Sequence, residues 1–232
     1  MPTDGKKEEV KQNEYSGIVR KAIQGQIKGT PEYKAKREEQ GQKKWGAKII
    51  RTDKYEAKMI KEINNIFAVQ EADILKAIVK SAKKEPNLND TKYKTMWTSA
   101  LTPLFKDIMQ KEGNEALAEI GISTMFDVGN TDINKWIRDN VKRIAKDVDD
   151  TTKTQIFDII DEGNTQGLGS TEIARNITKK FESFKESRSR TIARTEITNA
   201  STKSDISAWE SSEVVIGKEW YTALDERVCP SC

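Results

Sequence analysis

The sequence contains no histidine and only two cysteines among its 232 residues. Without histidine, the chain cannot build a Ser-His-Asp triad, a Cys-His pair or a histidine-based metal site from its own residues. Glycine-rich phosphate loops are missing as well, since GNTQGLGS at 163–170 fits neither the Walker spacing nor the strand-to-helix dinucleotide fingerprint. These absences exclude most of the common hydrolase mechanisms.

Long hydrophobic runs are also absent. No stretch reaches the roughly 18 apolar residues of a membrane span, and the amino-terminal MPTDGKKEEVKQNEY lacks the apolar centre of a secretory signal. Hydrophobic residues make up 35% of the chain and charged residues 33%, with a mean hydropathy of -0.74. We therefore expect a helix-rich protein with a modest core, working in the reducing cytoplasm where it is made and not in a membrane.

Positive charge is concentrated near the amino terminus. Residues 1–61 carry 16 Lys and Arg against 9 Asp and Glu, whereas the rest of the chain carries 24 against 28. We interpret 1–52 as a basic, partly disordered arm, which could neutralise phosphates, dock on an acidic protein surface or simply be solvated. The arm residues proposed for binding are Lys43, Lys44, Lys48 and Arg51.

Apolar residues recur at helical spacing through most of the remaining chain. The pattern predicts a helical region over 53–150 and further helices after it, with helix stops at Gly113 and Gly163 and helix caps at Asp132 and Ser170. The predicted helices cover 53–84, 89–112, 114–120, 133–148, 151–162, 170–181 and 185–211.

The pattern changes after residue 211. The stretch EVVIGKEWYTAL is β-branched and aromatic around a Gly-Lys pair, which predicts a small hairpin of 214–216 against 219–223 with Trp220 in its core. The expected fold is therefore mainly α: an elongated multi-helix body with a basic N-terminal arm and a small β-hairpin near the C-terminus.

Two acidic stretches, DVDDTTK and DIIDEG, resemble the metal-binding clusters of a nuclease. We favour a structural interpretation, in which Asp149 and Asp150 cap a helix while Asp158, Asp161 and Glu162 face solvent.

Cys229 and Cys232 form a Cys-x-x-Cys pair in the last four residues. A structural zinc site needs four ligands, and only two are present here. The pair could be an idle thiol pair, a redox dithiol, or half of a zinc site completed by a partner or by further sequence.

The segment from about 151 onward resembles the Mu F-like family of phage minor head, or head morphogenesis, proteins. The resemblance rests on an Ile-Ala-Arg-Thr-Glu helix, a Trp-bearing continuation of it, a Gly-Lys-Glu-Trp stretch and an Asp-x-Arg-x-Cys-x-x-Cys turn. The residues that carry it are Arg194, Thr195, Glu196, Ala200, Trp209, Trp220, Asp225, Arg227, Cys229 and Cys232.

This resemblance implies a structural protein and not an enzyme. It would bind the phage portal protein and a major capsid or scaffolding protein, with double-stranded DNA as an open further partner. The implied location is the host cytoplasm during assembly and then the virion, inside the capsid or at the portal vertex. Because family members usually continue beyond the cysteines, 151–232 is interpreted as a C-terminally incomplete family domain whose Cys pair is half of a site.

Arg194 and Glu196 lie two positions apart on a helix, so each is expected to reach a different neighbour. We interpret them as packing residues. The alternative is a nucleic-acid-processing or protein-modifying enzyme that uses Asp, Glu and Arg side chains, and neither a nucleophile nor a cofactor loop accompanies them.

Overall fold

A computed structural model describes residues 31–80 and 90–215 of the chain. Five α-helices account for most of these residues, and a five-residue π-helical turn joins the last two, so the predicted mainly helical fold is confirmed. Within the described residues, no helix combines the length and the apolar composition that a membrane span requires. The elements are α1 (Pro31–Lys80), α2 (Asp90–Glu119), α3 (Thr131–Thr165), α4 (Ser170–Ser183), the π-helical turn (Phe184–Arg188) and α5 (Ser189–Ser211).

Two predicted breaks between helices do not occur. Helix α2 continues through Gly113, and α3 continues through the predicted boundary near Asp150. In α3 the hydroxyls of Thr151, Thr152 and Thr154 donate to the backbone carbonyls four residues earlier, at 2.6, 2.7 and 3.1 Å. These bonds direct the hydroxyls along the helix, so they do not act as caps that interrupt it.

The helix caps also differ from the prediction by one or two positions. Asn130, and not Asp132, caps α3, because its side-chain oxygen accepts a 2.8 Å hydrogen bond from the backbone of Ile133. Gly169 precedes α4, and its backbone N–H donates to Glu172 at 3.2 Å. Ser170 is therefore the first residue of α4 and not its cap.

The predicted β-hairpin is wrong for the part of the chain that the structure describes, which contains no strand between 31 and 80 or between 90 and 215. Helix α5 ends at Ser211, and Glu213 then adopts a left-handed φ of 58° that turns the chain. Val214, the first residue of the predicted hairpin, is 60% exposed and is not in a strand. Trp220 and the other hairpin positions from 216 onward lie outside the described residues.

The larger of two compact units runs from Arg51 to Lys218, and its helices enclose one hydrophobic core. An aromatic cluster joins three of the helices. Phe67 of α1 lies 6.5 Å from Trp97 of α2 and 6.4 Å from Phe181 of α4, measured between ring centroids. Phe184 of the π-helical turn completes the cluster at 5.6 Å from Phe67 and 5.3 Å from Phe181. The contacts of Phe67 with Trp97 and Phe181, and of Phe181 with Phe184, are edge-on, and such contacts add to the stabilisation from burial of the rings.

The π-helical turn keeps both α4 and α5 facing this core. Buried residues follow one another at spacings of three or four as far as Phe184, and the next buried residue, Ser189, comes five positions later. The N–H of Ser189 donates to the carbonyl of Phe184, which is the hydrogen bond of a π-helix. The extra residue of the π-helical turn thus compensates for the wider spacing between Phe184 and Ser189, so that the buried residues on both sides face the same core.

Asp149 is buried in the core and does not cap a helix as predicted. Its Oδ1 accepts hydrogen bonds from Gln70 Nε2 of α1 at 2.7 Å and from Trp97 Nε1 of α2 at 2.9 Å. The nearby guanidinium of Arg188 donates to the carbonyl of Val148 and to the hydroxyl of Thr152. Burial lowers the pKa of Arg188, and the charge of Asp149 opposes that shift.

Asp158, Asp161 and Glu162 are exposed, as the structural interpretation predicts. Asp150 does not cap a helix as predicted, because it lies within α3, where it is exposed and pairs with Lys146 at 3.3 Å.

The loop between α2 and α3 is held by one buried ring. Phe126 is 4% exposed, its N–H donates to Asn114 at 2.7 Å, and its carbonyl accepts from Gln110 at 2.6 Å. The ring lies against Gly113, where an added Cβ would come within 2.4 Å of ring carbons. Gly113 therefore interrupts no helix and instead makes room for Phe126.

Replacing Gly113 tests this contact. We expect Gly113→Ala to lower the free energy of unfolding by about 1–3 kcal/mol, because the methyl group would collide with the Phe126 ring. Gly46→Ala is the matched control, since Gly46 also lies within a helix but has no atom near its Cβ position. That control should be neutral or stabilising by up to about 1 kcal/mol. Equal effects of the two substitutions in urea unfolding would contradict the proposed packing.

A pH-dependent contact joins α1 to α2. Hydrogen bonds from Lys92 and from Tyr93, the latter at 2.9 Å, lower the pKa of Asp73 below its usual value. A lowered folded-state pKa stabilises the fold above the unfolded pKa of about 3.9, and this stabilisation is lost as the pH falls through the folded value.

Asp73→Asn should therefore destabilise the protein at neutral pH. The difference from wild type should shrink as the pH falls below about 4, because the wild-type carboxylate then becomes protonated as well. Asp158→Asn, which changes an exposed carboxylate on α3, is the matched control. Chemical denaturation between pH 2.5 and 7 measures both variants, and a gap for Asp73→Asn that does not depend on pH would contradict the assignment.

Candidate functional site on helix α5

Helix α5 carries the Ile-Ala-Arg-Thr-Glu motif, and its small buried residues bring it close to the other helices. Ala193, Ala200 and Ala208 are fully buried. Side chains this short allow a close approach of neighbouring helices, so polar groups on α5 come within reach of polar groups on α1, α2 and α3.

Glu196 is buried and bound by two residues of α3. Both of its carboxylate oxygens accept from Arg143 at 2.8 Å, and Oε2 also accepts from Asn140 at 3.0 Å. Only 5% of Glu196 is exposed, whereas the side chain of Arg143 is about half exposed and also lies 3.6 Å from Asp147. A buried carboxylate is tolerated when charged donors satisfy it in this way.

Arg194 reaches a different helix. Its Nε lies 3.0 Å from both carboxylate oxygens of Glu56 on α1. The Arg194 side chain is 66% exposed and that of Glu56 is 18% exposed, so this pair lies at the edge of the helix contact. Arg194 and Glu196 therefore contact different neighbours, as their spacing predicts, while Thr195 between them is exposed.

A third polar contact of α5 involves a fully buried carboxylate on α2. Glu112 is 0% exposed and accepts from Arg51 of α1 at 3.0 and 3.3 Å and from Ser201 of α5 at 3.3 Å. The hydrogen bond to Glu112 raises the pKa of Arg51, so its guanidinium stays charged. Three helices meet at this one carboxylate.

Arg51 therefore differs from the other predicted arm residues. Lys43 is exposed and pairs with Glu39 at 2.6 Å within α1. Lys44 is exposed and Lys48 is half-buried. Arg51 forms an ion pair with the buried carboxylate of Glu112.

The sequence predictions overlooked Glu112, Asn140 and Arg143. A signal existed for Glu112, because it follows Phe105 and Ile108 at helical spacing and so occupies a core position. A charged residue in such a position requires a buried partner. No comparable signal marks Asn140 or Arg143, since the side of α3 that meets α5 depends on the tertiary packing.

Other predicted site residues have no such role in the described part. Trp209 is half-buried and packs against the core at the end of α5. Trp220, Asp225, Arg227, Cys229 and Cys232 lie outside the described residues. Within 31–80 and 90–215, no group of three or more Asp, Glu, Cys or His side chains is arranged to hold a metal ion.

The described polar groups of α5 thus bind other helices of the same chain. Residues 154–232 match the family model described as Phage Mu protein F like protein. The resemblance to this family predicted from the sequence is confirmed for this segment of the chain. No curated protein and no solved structure is significantly similar to the chain.

The matched segment begins within α3 and includes α4, the π-helical turn and α5. Most of the polar partners described above precede it, because Glu56, Glu112, Asn140 and Arg143 lie between 51 and 150. The described part of the Mu F-like segment is therefore packed against helices that the family model does not cover.

The two charged residues of the motif should differ in their effect on stability. Glu196→Ala should lower the free energy of unfolding by about 1–3 kcal/mol, because Arg143 and Asn140 lose a buried acceptor. Arg194→Ala should cost less than about 1 kcal/mol, since the Arg194 side chain is largely exposed and its ion pair lies at the edge of the helix contact. Urea unfolding of both variants measures the difference. A larger loss for Arg194→Ala would contradict the assignment of Glu196 as the residue that fixes α5.

Proposed function

We propose that this protein is a minor head protein that binds the phage portal and the capsid interior during head assembly. The observation that carries the proposal is the family match over residues 154–232. The described geometry supports a binding role, because Arg194 and Glu196 are engaged in helix packing and are not arranged around an open pocket. The protein would assemble in the host cytoplasm and remain in the virion.

The basic part of α1 is the proposed contact with a head protein. The stretch 41–50, GQKKWGAKII, contains three lysines and no acidic residue. Ile49 is 41% exposed and Ile50 is 64% exposed, so cationic and apolar groups are presented together. An acidic protein surface with apolar patches fits this combination better than DNA, whose backbone offers phosphates alone.

Mass spectrometry of purified phage particles is the direct test of the head role. We expect peptides of this chain in the particles at a few copies each, and fewer of them when particles are assembled without the portal protein. Finding the chain only in the lysate, and never in purified particles, would overturn the proposal.

A charge-reversal variant tests the contact through α1. Lys43→Glu combined with Lys44→Glu and Lys48→Glu should reduce co-purification with the portal protein by about tenfold or more, because attraction becomes repulsion. The control reverses three exposed lysines elsewhere, Lys106, Lys135 and Lys179, and should retain binding. Equal losses in both triple variants would show that only net charge matters.

A further inference from the structure

A groove of about 670 Å³ lies between α2 and α3. Residues 91–99 of α2 form one wall, and residues 142–153 of α3 form the other. Ala145 and Asp149 are buried and belong to the lining, and the carboxylate of Asp149 is bound by Gln70 and Trp97. The buried residues Ala145 and Asp149 therefore form a base of the groove that is held in place by core packing and hydrogen bonds.

Four lysines line this groove. Lys142, Lys146 and Lys153 follow one another along α3, and Lys94 stands on α2. The three α3 lysines span about 16 Å along the helix axis, which is about three helical turns. Lys146 pairs with exposed Asp150 at 3.3 Å, whereas neither Lys94 nor Lys142 forms an ion pair within the described part of the chain. The groove thus presents a row of cations with at least two uncommitted charges.

The threonines of the α2 wall give the groove an apolar character. The hydroxyl of Thr95 donates to the carbonyl of Thr91 at 2.9 Å, and that of Thr98 donates to the carbonyl of Lys94 at 2.8 Å. These hydroxyl protons are used within the helix, so the threonines offer methyl groups more readily than donors. The aliphatic stems of the lysines extend this apolar lining.

We propose that this groove binds an acidic amphipathic segment of a partner protein, with its apolar side chains between the helices and its carboxylates on the lysines. The inference deepens the proposed function, because it names the kind of partner segment that the helical body would bind. Charge complementarity selects an anionic partner. The methyl-lined wall selects a partner with apolar groups, which a DNA backbone lacks.

The probe is a synthetic helix of about 18 residues with a leucine stripe flanked by glutamates. Its binding to the full chain is measured by fluorescence anisotropy. We expect weaker binding when all glutamates of the probe are replaced by glutamine, and also when its leucines are replaced by serine. Binding that persists without leucine would contradict the apolar part of the proposal.

Variants of the chain then locate the site. Lys94→Gln combined with Lys142→Gln should weaken probe binding about 5- to 20-fold, because two partly exposed ion pairs are lost. The same two positions changed to arginine should retain binding, which separates loss of charge from misfolding. Lys106→Gln with Lys135→Gln removes two exposed lysines outside the groove and should have no effect. Equal weakening by the two glutamine pairs would overturn the assignment to the groove.

Substitution of the threonines separates a peptide site from a phosphate site. Thr95→Val with Thr98→Val keeps the shape of the wall and adds methyl groups, so probe binding should be unchanged or tighter. A 20-base-pair duplex DNA serves as the second ligand. If DNA binds through Lys94 and Lys142 and is weakened by the valine variants, the groove is a phosphate site and the proposal fails.

Particle incorporation distinguishes this inference from the proposed function. A chain that enters phage particles although its groove binds no probe leaves the head role intact and overturns only the groove proposal. A chain that binds the probe through the groove but never enters particles retains the groove assignment and overturns the head role.

Discussion

The fully buried carboxylate of Glu112 is the constraint around which the described helices are arranged. A charge at that depth is tolerated only when donors surround it, and the donors come from two other helices, Arg51 of α1 and Ser201 of α5. Asp149 and Glu196 repeat this arrangement at other helix contacts. Apolar burial supplies a force for collapse that has no preferred direction, whereas these carboxylates fix which helix faces which.

This arrangement has a consequence for the segment that matches the Mu F-like family. Glu196 and Ser201 belong to that segment, but their partners Arg143 and Glu112 precede it. Without the earlier helices, Glu196 would lose its charged donor, and the buried face of α5 would be open to water. The stretch before residue 150 therefore supports the matched segment physically, and the folded unit extends beyond the family match.

The sequence predicted the helices well wherever apolar spacing was regular, as at Ile133, Ile137 and Val141 of α3. The sequence-based predictions failed where one local feature was compatible with two different structures. Glycine at 113 looked like a helix end, yet it makes room for the ring of Phe126. The partners of Arg194 and Glu196 could not be predicted, because they lie 138 and 53 positions away along the chain. Contacts over such separations depend on tertiary packing, which short-range periodicity does not encode.

The five-residue spacing between Phe184 and Ser189 also determines how far α5 is rotated about its axis relative to α4. Each α-helical residue advances the side chains by about 100° around the axis. A chain one residue shorter at this junction would continue as a plain α-helix, with α5 turned by that angle relative to α4. Arg194 and Glu196 would then point away from Glu56 and Arg143, although no contact residue had changed. One additional residue in the π-helical turn therefore sets the orientation of the Ile-Ala-Arg-Thr-Glu motif that follows it.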